Sequence, residues 1–458
     1  MLGAGEETLQ SLAENSIMVL IVDEIDQNAR KEGRAMAATY IRCKSERHLL
    51  MKESAGTLIR GSLPDAGEAL LSRFAGSVQT VYLDPPFNTG KRFDMKVRIG
   101  EKGYKTGSPS LSLPAYDDRF ESREAYIDMM RGALKTAKGL LSREGTIFLH
   151  IDSRMHAPMR LLMDEVFGEN NFLNEIIWAY QSGGRARSYF PRKHDTILFY
   201  SKSRSYYFNL RAVPVGRAES RNNHMRRGVD EDGRTYRAIA SGGREYRYYD
   251  DEPAYPGDVW DDVSHLQQKD PQRTGYDTQK PLRLLERIVR CASQEGDTVC
   301  DLFCGSGTTA VAAMQNGRRF LCMDQSPLAV SASAKRLLQA VEGKRARPGF
   351  EVEAQCGEDD CAVEAEVFPA ISSYTVRLID FDCPVAREQG IHGLDAVDMW
   401  SAGFVQGDVY HGCVQSVRSV SSPSLETALE MPVGAGEPCV MIVDIFGNRR
   451  FYLPKRRY

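Results

Sequence analysis

Short runs of apolar, β-branched and aromatic residues alternate along the middle of this 458-residue chain with longer stretches in which apolar positions recur every three or four residues. Val81-Tyr82-Leu83 reads as a strand. Tyr126 to Leu141 carries Met129, Met130, Ala133, Leu134, Ala137, Leu140 and Leu141 at helical spacing. Gly145 to Ile151 is a continuous apolar run and predicts a buried strand. Pro158 to Phe167 predicts a helix, and Asn174 to Tyr180 and Thr196 to Tyr200 predict strands. Further on, Leu282, Leu285, Ile288, Val289 and Ala292 share one helical face, with Asp277 or Thr278 as candidate cap and Pro281 tolerated in the first turn. A β-rich run at 298–301 and a strand from Arg319 to Met323 flank a glycine turn and an apolar segment that Gly317 stops. Strands alternating with helices imply a mostly parallel sheet covered on both faces, an α/β fold whose ligands sit at the carboxyl ends of strands. Residues 1–55 read as a largely helical extension. From 345 on, alternating runs such as Tyr374–Ile379 and Cys439–Asn448 predict a small β-rich domain, joined by a linker at Arg345–Gly349.

The first piece of chemistry follows the Val81 strand. Asp84-Pro85-Pro86-Phe87 puts a carboxylate, a carbonyl held outward by fixed proline dihedrals and a flat ring on one stiff turn. A carboxylate beside a carbonyl is an acceptor pair suited to an exocyclic amino group, and the ring can stack on the base that carries it. The tetrapeptide alone fits an ordinary strand-ending turn equally well.

The second piece is the run from Asp301 through Phe303, Gly305, Ser306, Gly307, Thr308 and Thr309. Glycines let a backbone approach a ligand closely, and the helix start behind them presents free N–H groups to an anion. Asp324 ends the next strand, at the usual interval for a carboxylate that binds ribose hydroxyls. The third glycine of a dinucleotide site and the Gly-Lys-Ser/Thr of a P-loop are both missing, so the ligand need not be a phosphate. The carboxylate and ribose of S-adenosylmethionine fit the same arrangement. Gln279-Lys280-Pro281, at the head of the Leu282 helix, is placed to reach the amino-acid part of such a cofactor.

Together, the three motifs in this order resemble the amino-methyltransferases of DNA, in the permuted order of their β class. Asp-Pro-Pro-Phe-Asn-Thr-Gly at 84–90 and the segment around Leu149-His150-Ile151-Asp152 look most like the modification subunits of type III restriction systems. The resemblance spans about residues 56 to 340. It implies a Rossmann-like methyltransferase fold, S-adenosylmethionine as cofactor, and methyl transfer to N6 of a flipped adenine, with Asp84, Pro85, Pro86 and Phe87 catalytic. It implies cofactor contacts from Gln279, Lys280, Pro281, Asp301, Phe303, Gly305, Ser306, Gly307, Thr308, Thr309 and Asp324. Asp at the first motif position favours adenine, and cytosine N4 is the alternative target. A non-catalytic specificity subunit keeping the fold is a third reading, and a nicotinamide dehydrogenase leaves Asp84 without a role. Two departures stand out. Phe87 replaces the family's usual tyrosine, and Ser62 follows Gly61 where relatives often carry Asp, leaving Asp65 or a backbone amide for the cofactor adenine. Asp152, at a predicted strand end, is as well suited to helix capping as to lining a pocket.

The overall charge of −3 argues little for a polyanionic partner, but its distribution changes the picture. Residues 181–249 hold fifteen Lys and Arg against six Asp and Glu, interleaved with tyrosines, whereas 345–458 hold ten against seventeen. The chain therefore divides into 1–55, a catalytic half at 56–180, a target-recognition region at 181–275, a cofactor half at 276–344, and an acidic C-terminal domain at 345–458. Double-stranded DNA is the expected partner of the basic region, with Arg185, Arg187, Arg192 and Lys193 as phosphate contacts. The acidic domain favours a subunit interface, as in a homodimer, or a partner such as a restriction subunit. Ten scattered cysteines form no Cys-x-x-Cys pair, so zinc is not expected and a reducing cytoplasm fits. The apolar run Ile17–Val22 is too short to span a membrane, and no export signal is expected.

Overall fold

In a computed structural model, the protein is described over residues 39–41, 45–48, 54–180, 186–215, 225–267, 270–341, 349–354 and 360–457. Among these residues, fifteen strands form one sheet. Its centre is a parallel block in the spatial order Gly349–Glu353, Ser54–Arg60, Arg319–Asp324, Thr298–Asp301, Val78–Leu83 and Leu141–Ile151. Such strands are buried on both sides, which is why Val78–Leu83 and Leu141–Ile151 read as nearly continuous apolar runs rather than alternating ones.

The helices Leu63–Phe74, Arg123–Leu140 and His156–Phe167 cover one face. Leu70, Tyr126, Met130, Leu134, Met159 and Met163 are buried there, and full burial of each such side chain is worth about 1.5–3 kcal/mol. The helices Leu282–Ala292, Thr308–Gln315 and Pro327–Val341 cover the other. The α/β, doubly covered reading thus holds at the centre, where the strands and helices expected from the apolar pattern all form.

The permuted order of the motifs is resolved by one pairing. Thr298–Asp301 lies directly beside Val78–Leu83, with Cys300 opposite Val81, although more than two hundred residues separate them in the chain. From Thr298–Asp301 the chain crosses to Arg319–Asp324 on one side. From Val78–Leu83 it crosses to Leu141–Ile151 on the other. The crevice between two strand ends whose connections diverge is where open α/β sheets bind ligands.

Antiparallel strands flank the block. His194–Ser201 and Phe172–Ala179 extend it on one side, ending in the short parallel strand Val259–Trp260. On the other side, Ser45–His48, Val409–Val417, Val397–Gln406, Glu437–Asp444, Arg449–Leu453 and Thr39–Ile41 continue the same sheet. The C-terminal strands therefore add to the main sheet as well as building a four-stranded sheet of their own from Ala362–Pro369, Ser373–Asp382, Ala428–Pro432 and Lys455–Arg456.

The structure corrects several expectations. The helical reading of 1–55 fails where that stretch is described, because Thr39–Ile41, Ser45–His48 and Ser54–Arg60 are strands. Their partners come from residues 320–324, 349–353, 409–412 and 451–453, so no local pattern reveals the pairing. Residues 342–348, most of the expected linker, lie outside the described part, and Gly349 opens a strand. The Leu282 helix takes Pro281 as its cap residue with no side-chain cap from Asp277 or Thr278. The basic stretch 181–275 is not one unit. It contributes His194–Ser201 and Val259–Trp260 to the main sheet and forms a separate three-stranded meander at Arg226–Val229, Thr235–Ser241 and Arg244–Tyr249. No helix among the described residues is long and apolar enough to cross a membrane.

Candidate active site

The crevice opens into a cavity of about 500 Å³, within the range of small-molecule sites. Both sequence motifs line it. Asp84, Pro85, Pro86 and Phe87 form one wall, and Asp301, Phe303, Gly305, Ser306, Thr308, Thr309 and Asp324 form another, with Gln279 and Lys280 between. Pro281 and Gly307 stand just behind the wall as the cap residues of their helices.

The Asp84–Phe87 turn is held from three directions. Lys280 Nζ forms an ion pair with Asp84 Oδ2 and lies 5.3 Å from the centre of the Phe87 ring. The buried Asp84 Oδ1 has no hydrogen-bond partner among the described residues. An unpaired buried carboxylate oxygen is costly, so a group that donates to it on binding recovers that cost. Phe87 rests on the His150 imidazole, with ring centres 6.0 Å apart and planes 22° from parallel. Beyond Phe87 the chain turns sharply at Asn88, whose φ is +53°. Asp118 fixes that turn by accepting from the Asn88 and Thr89 N–H groups and from the Thr89 hydroxyl at 2.6–2.9 Å.

A buried network underlies the ring. The Tyr82 hydroxyl and His150 Nδ1 are 2.9 Å apart, and His150 Nε2 lies 3.2 Å from Asp195 Oδ2. Tyr180 donates to Asp195 Oδ1 at 3.0 Å. Burial pushes the Asp195 carboxyl up, but the hydrogen bonds from His150 and Tyr180 and the charge of Lys280 outweigh it and leave it below its ordinary value.

The glycine wall is tight and polar. Gly305 and Gly307 have φ of +50° and +74°, and a Cβ on Gly307 would lie 2.5 Å from Ser333 Oγ. Ser333 in turn donates to the Gly305 carbonyl at 3.0 Å. Asp301 accepts from Thr309 Oγ1 at 2.5 Å and from the Phe303 N–H at 3.0 Å, and burial drives its carboxyl up to about 7. Asp324 accepts from the Gly305 and Ser326 N–H groups at 2.8 and 2.9 Å, and burial drives it up to about 6. Gln279 is turned away from the cavity centre. It accepts from Thr274 and donates to the Gln272 carbonyl, which ties down the 272–274 loop. Arg273 donates to the carbonyls of Leu266, Gln267 and Asp277 and closes the same loop over the cavity rim.

Of the expected DNA contacts, Arg187 and Arg192 are exposed and Lys193 half-buried on the loop between Tyr180 and His194, outside the cavity wall. Arg185 lies outside the described residues, as does the Asp65 side chain, while Gly61, Ser62 and Leu63 line the cavity. Asp152 does not line it. Its carboxylate accepts from the Arg154 N–H at 2.9 Å and pairs with the Arg154 side chain, so it shapes the turn before the His156 helix. Sequence reasoning missed Asp118, Tyr180 and Asp195. Asp118 and Asp195 are common residues in polar stretches and Tyr180 reads as the end of a strand, and only the fold brings them to the turn.

Residues 78–335 match the DNA methylase family. The chain belongs to that family. Among its relatives are the type II methyltransferase M.EcaI of Enterobacter cloacae, 27% identical over 56% of this chain, and the type III restriction-modification enzyme StyLTI Mod subunit of Salmonella typhimurium, 24% identical over 67%. The match spans 64% and 58% of those two proteins, so the chain covers less than two-thirds of either. The DNA adenine methyltransferase YhdJ of Escherichia coli is 25% identical over 62% of this chain and 83% of its own length.

Proposed function

We propose that this DNA methylase transfers a methyl group from S-adenosylmethionine to N6 of an adenine flipped out of duplex DNA. The observation that carries the reading is that Asp84, whose buried Oδ1 has no partner among the described residues, lines one cavity together with the glycine cradle. That cradle fits the cofactor. Asp324 and Asp301 offer carboxylates to its hydroxyl and ammonium groups, the glycine loop lets the backbone approach closely, and Leu63, Tyr116, Tyr276 and Phe303 add apolar surface. When bound, the cofactor supplies an electrophilic methyl on a cationic sulfur.

The protein's residues do the rest. Phe87 stacks on the extruded base, a contact worth about 1–3 kcal/mol. Asp84 Oδ1 and the Pro85 carbonyl accept the two amino hydrogens, which draws the nitrogen lone pair out of conjugation and aims it into the cavity. As positive charge develops on nitrogen, the Asp84 carboxylate stabilises it, and Oδ1 then accepts the departing proton. Lys280 anchors the carboxylate through Oδ2, and Asp118 and His150 hold the turn and the ring in register. Orientation and preorganised charge supply the rate.

The relative named a DNA adenine methyltransferase favours N6, as does Asp at the first motif position. Cytosine N4 is the second target with the same geometry. DNA enters on the basic side, with Arg187, Arg192 and Lys193 at phosphates, and the exposed Arg226, Arg227 and Arg244 of the meander add to that surface. Mass spectrometry of nucleosides from duplex DNA treated with protein and S-adenosylmethionine tests the reading. N6-methyladenine supports it, N4-methylcytosine moves the target, and no modified base on DNA that the protein binds rejects it.

A further inference from the structure

The loop between Tyr180 and His194 joins two antiparallel strands of the main sheet, with Ala179 opposite His194 and Ile177 opposite Thr196. Thr196 also faces Ile151, and Leu149 faces Leu83, so the loop leaves the sheet at the same edge as Asp84. Its two feet belong to the cavity. Tyr180 and Asp195 line the wall and hydrogen-bond to each other, and the Tyr180 N–H donates to the Lys193 carbonyl at 2.9 Å. Between those feet, the chain presents Tyr189 and Phe190 to solvent, 65% and 95% exposed. The Arg192 guanidinium carbon lies 5.8 Å from the Tyr189 ring centre, and Arg187 and Arg192 are both exposed.

A phenylalanine ring in full contact with water, on a loop that carries exposed arginines and whose two feet line the cavity, suits a partner that is both apolar and anionic. Stacked base pairs between phosphate strands supply both. We propose that Phe190 is a wedge that enters the duplex beside the target and occupies the gap left by the extruded base. Arg187 and Arg192 bind the flanking phosphates, and Arg192 braces Tyr189. Apolar side chains inserted at a base step unstack it and stabilise the distorted duplex. Extrusion leaves a hole in the stack, and filling it favours the flipped state. The inference rests on the methyltransferase reading above and adds to it the element that holds the flipped state open.

Single-turnover methylation of two duplexes tests it. Both carry a site that the wild-type protein methylates. In one the target base is paired, and in the other it faces an abasic position and is already free to leave the stack. Phe190→Ala is expected to lose about tenfold or more on the paired duplex, to return to within about twofold of wild type on the abasic one, and to titrate with cofactor as wild type does. Phe190→Trp keeps activity on both. Ile371→Ala, equally exposed on a turn of the C-terminal four-stranded sheet, changes neither. No loss for Phe190→Ala, or the same loss on both duplexes, overturns the wedge while the methyltransferase reading stands. Wild-type protein that methylates no duplex overturns that reading and the wedge with it.

Discussion

The two walls of the cavity and the basic meander are built on opposite plans. At the glycine wall nearly every polar group is already engaged: Asp301 with Thr309, Asp324 with two N–H groups, Ser333 with Gly305. The meander at Arg226–Tyr249 has few buried side chains, chiefly Tyr236 and Ala238, and Arg226, Arg227, Arg244, Tyr246 and Tyr248 are exposed. The wall meets one small cofactor and is finished before it arrives. On the proposed function the meander meets a long polyanion: Arg227 and Arg244 stand exposed to it, while Arg226 and Arg247 pair with Glu245 and Arg237 with Asp250. Rigidity is placed where the reacting atoms must align, and exposed charge where the DNA supplies the order.

The comparison breaks most sharply at Asp84. Asp84→Ala removes the acceptor and charge partner of the amino group. It should lower the methylation rate by about 10²–10³-fold or more, with cofactor affinity changed only a few-fold by calorimetry. A variant that methylates at the wild-type rate removes Asp84 from the mechanism.

Gly307→Ala comes next. Its Cβ would strike Ser333, and the left-handed backbone costs an alanine about 1–3 kcal/mol. Cofactor binding should fall, and the unfolding midpoint should drop by several degrees in a thermal melt. The same substitution at Gly233, also at positive φ but with open space around it, carries only the backbone cost.

Acidity reads the glycine wall in a different way. Asp324 in the folded protein holds its proton up to about pH 6, against 3.8 for an unperturbed aspartate. A ribose hydroxyl donating to it favours the charged form. Cofactor binding therefore releases a proton at Asp324, and affinity should rise with pH through about 6, with a second rise through about 7 from Asp301, whose charged form the cofactor ammonium favours. Asp324→Asn should remove the lower of the two rises in a pH series of titrations. Stability of the free protein runs the other way. Between pH 4 and 7 the folded state binds more protons at Asp301 and Asp324 than the unfolded chain, so their contribution falls as pH rises through that window.

The smallest effects belong to the meander. Arg226→Ala, Arg227→Ala or Arg244→Ala should each weaken DNA binding evenly across sequences and reduce the slope of log K against log salt by about one. Turnover at saturating DNA should stay unchanged. A loss confined to one sequence would instead make that arginine a base reader.

The same contrast explains what the sequence disclosed. The parallel centre was legible because a strand buried on both faces must be apolar throughout and a covering helix must be apolar on one side. The two pocket corners were legible because their chemistry needs unusual residues, prolines after an aspartate and glycines before a helix. Asp118, Tyr180 and Asp195 were not legible. Their roles depend on a turn at Asn88 and on a ring at His150 that arrive from elsewhere in the chain. The strands at 39–48 were hidden for a related reason, since their partners lie some three to four hundred residues away.

The most direct test of the account uses S-adenosylmethionine with a labelled methyl group and duplex DNA, with wild-type and Asp84→Ala protein compared side by side. The account predicts label on N6 of adenine with the wild type and a loss of that label, but retained cofactor binding, with Asp84→Ala. Equal labelling by both proteins, or cofactor binding by the wild type with no label on any base of bound DNA, would contradict it.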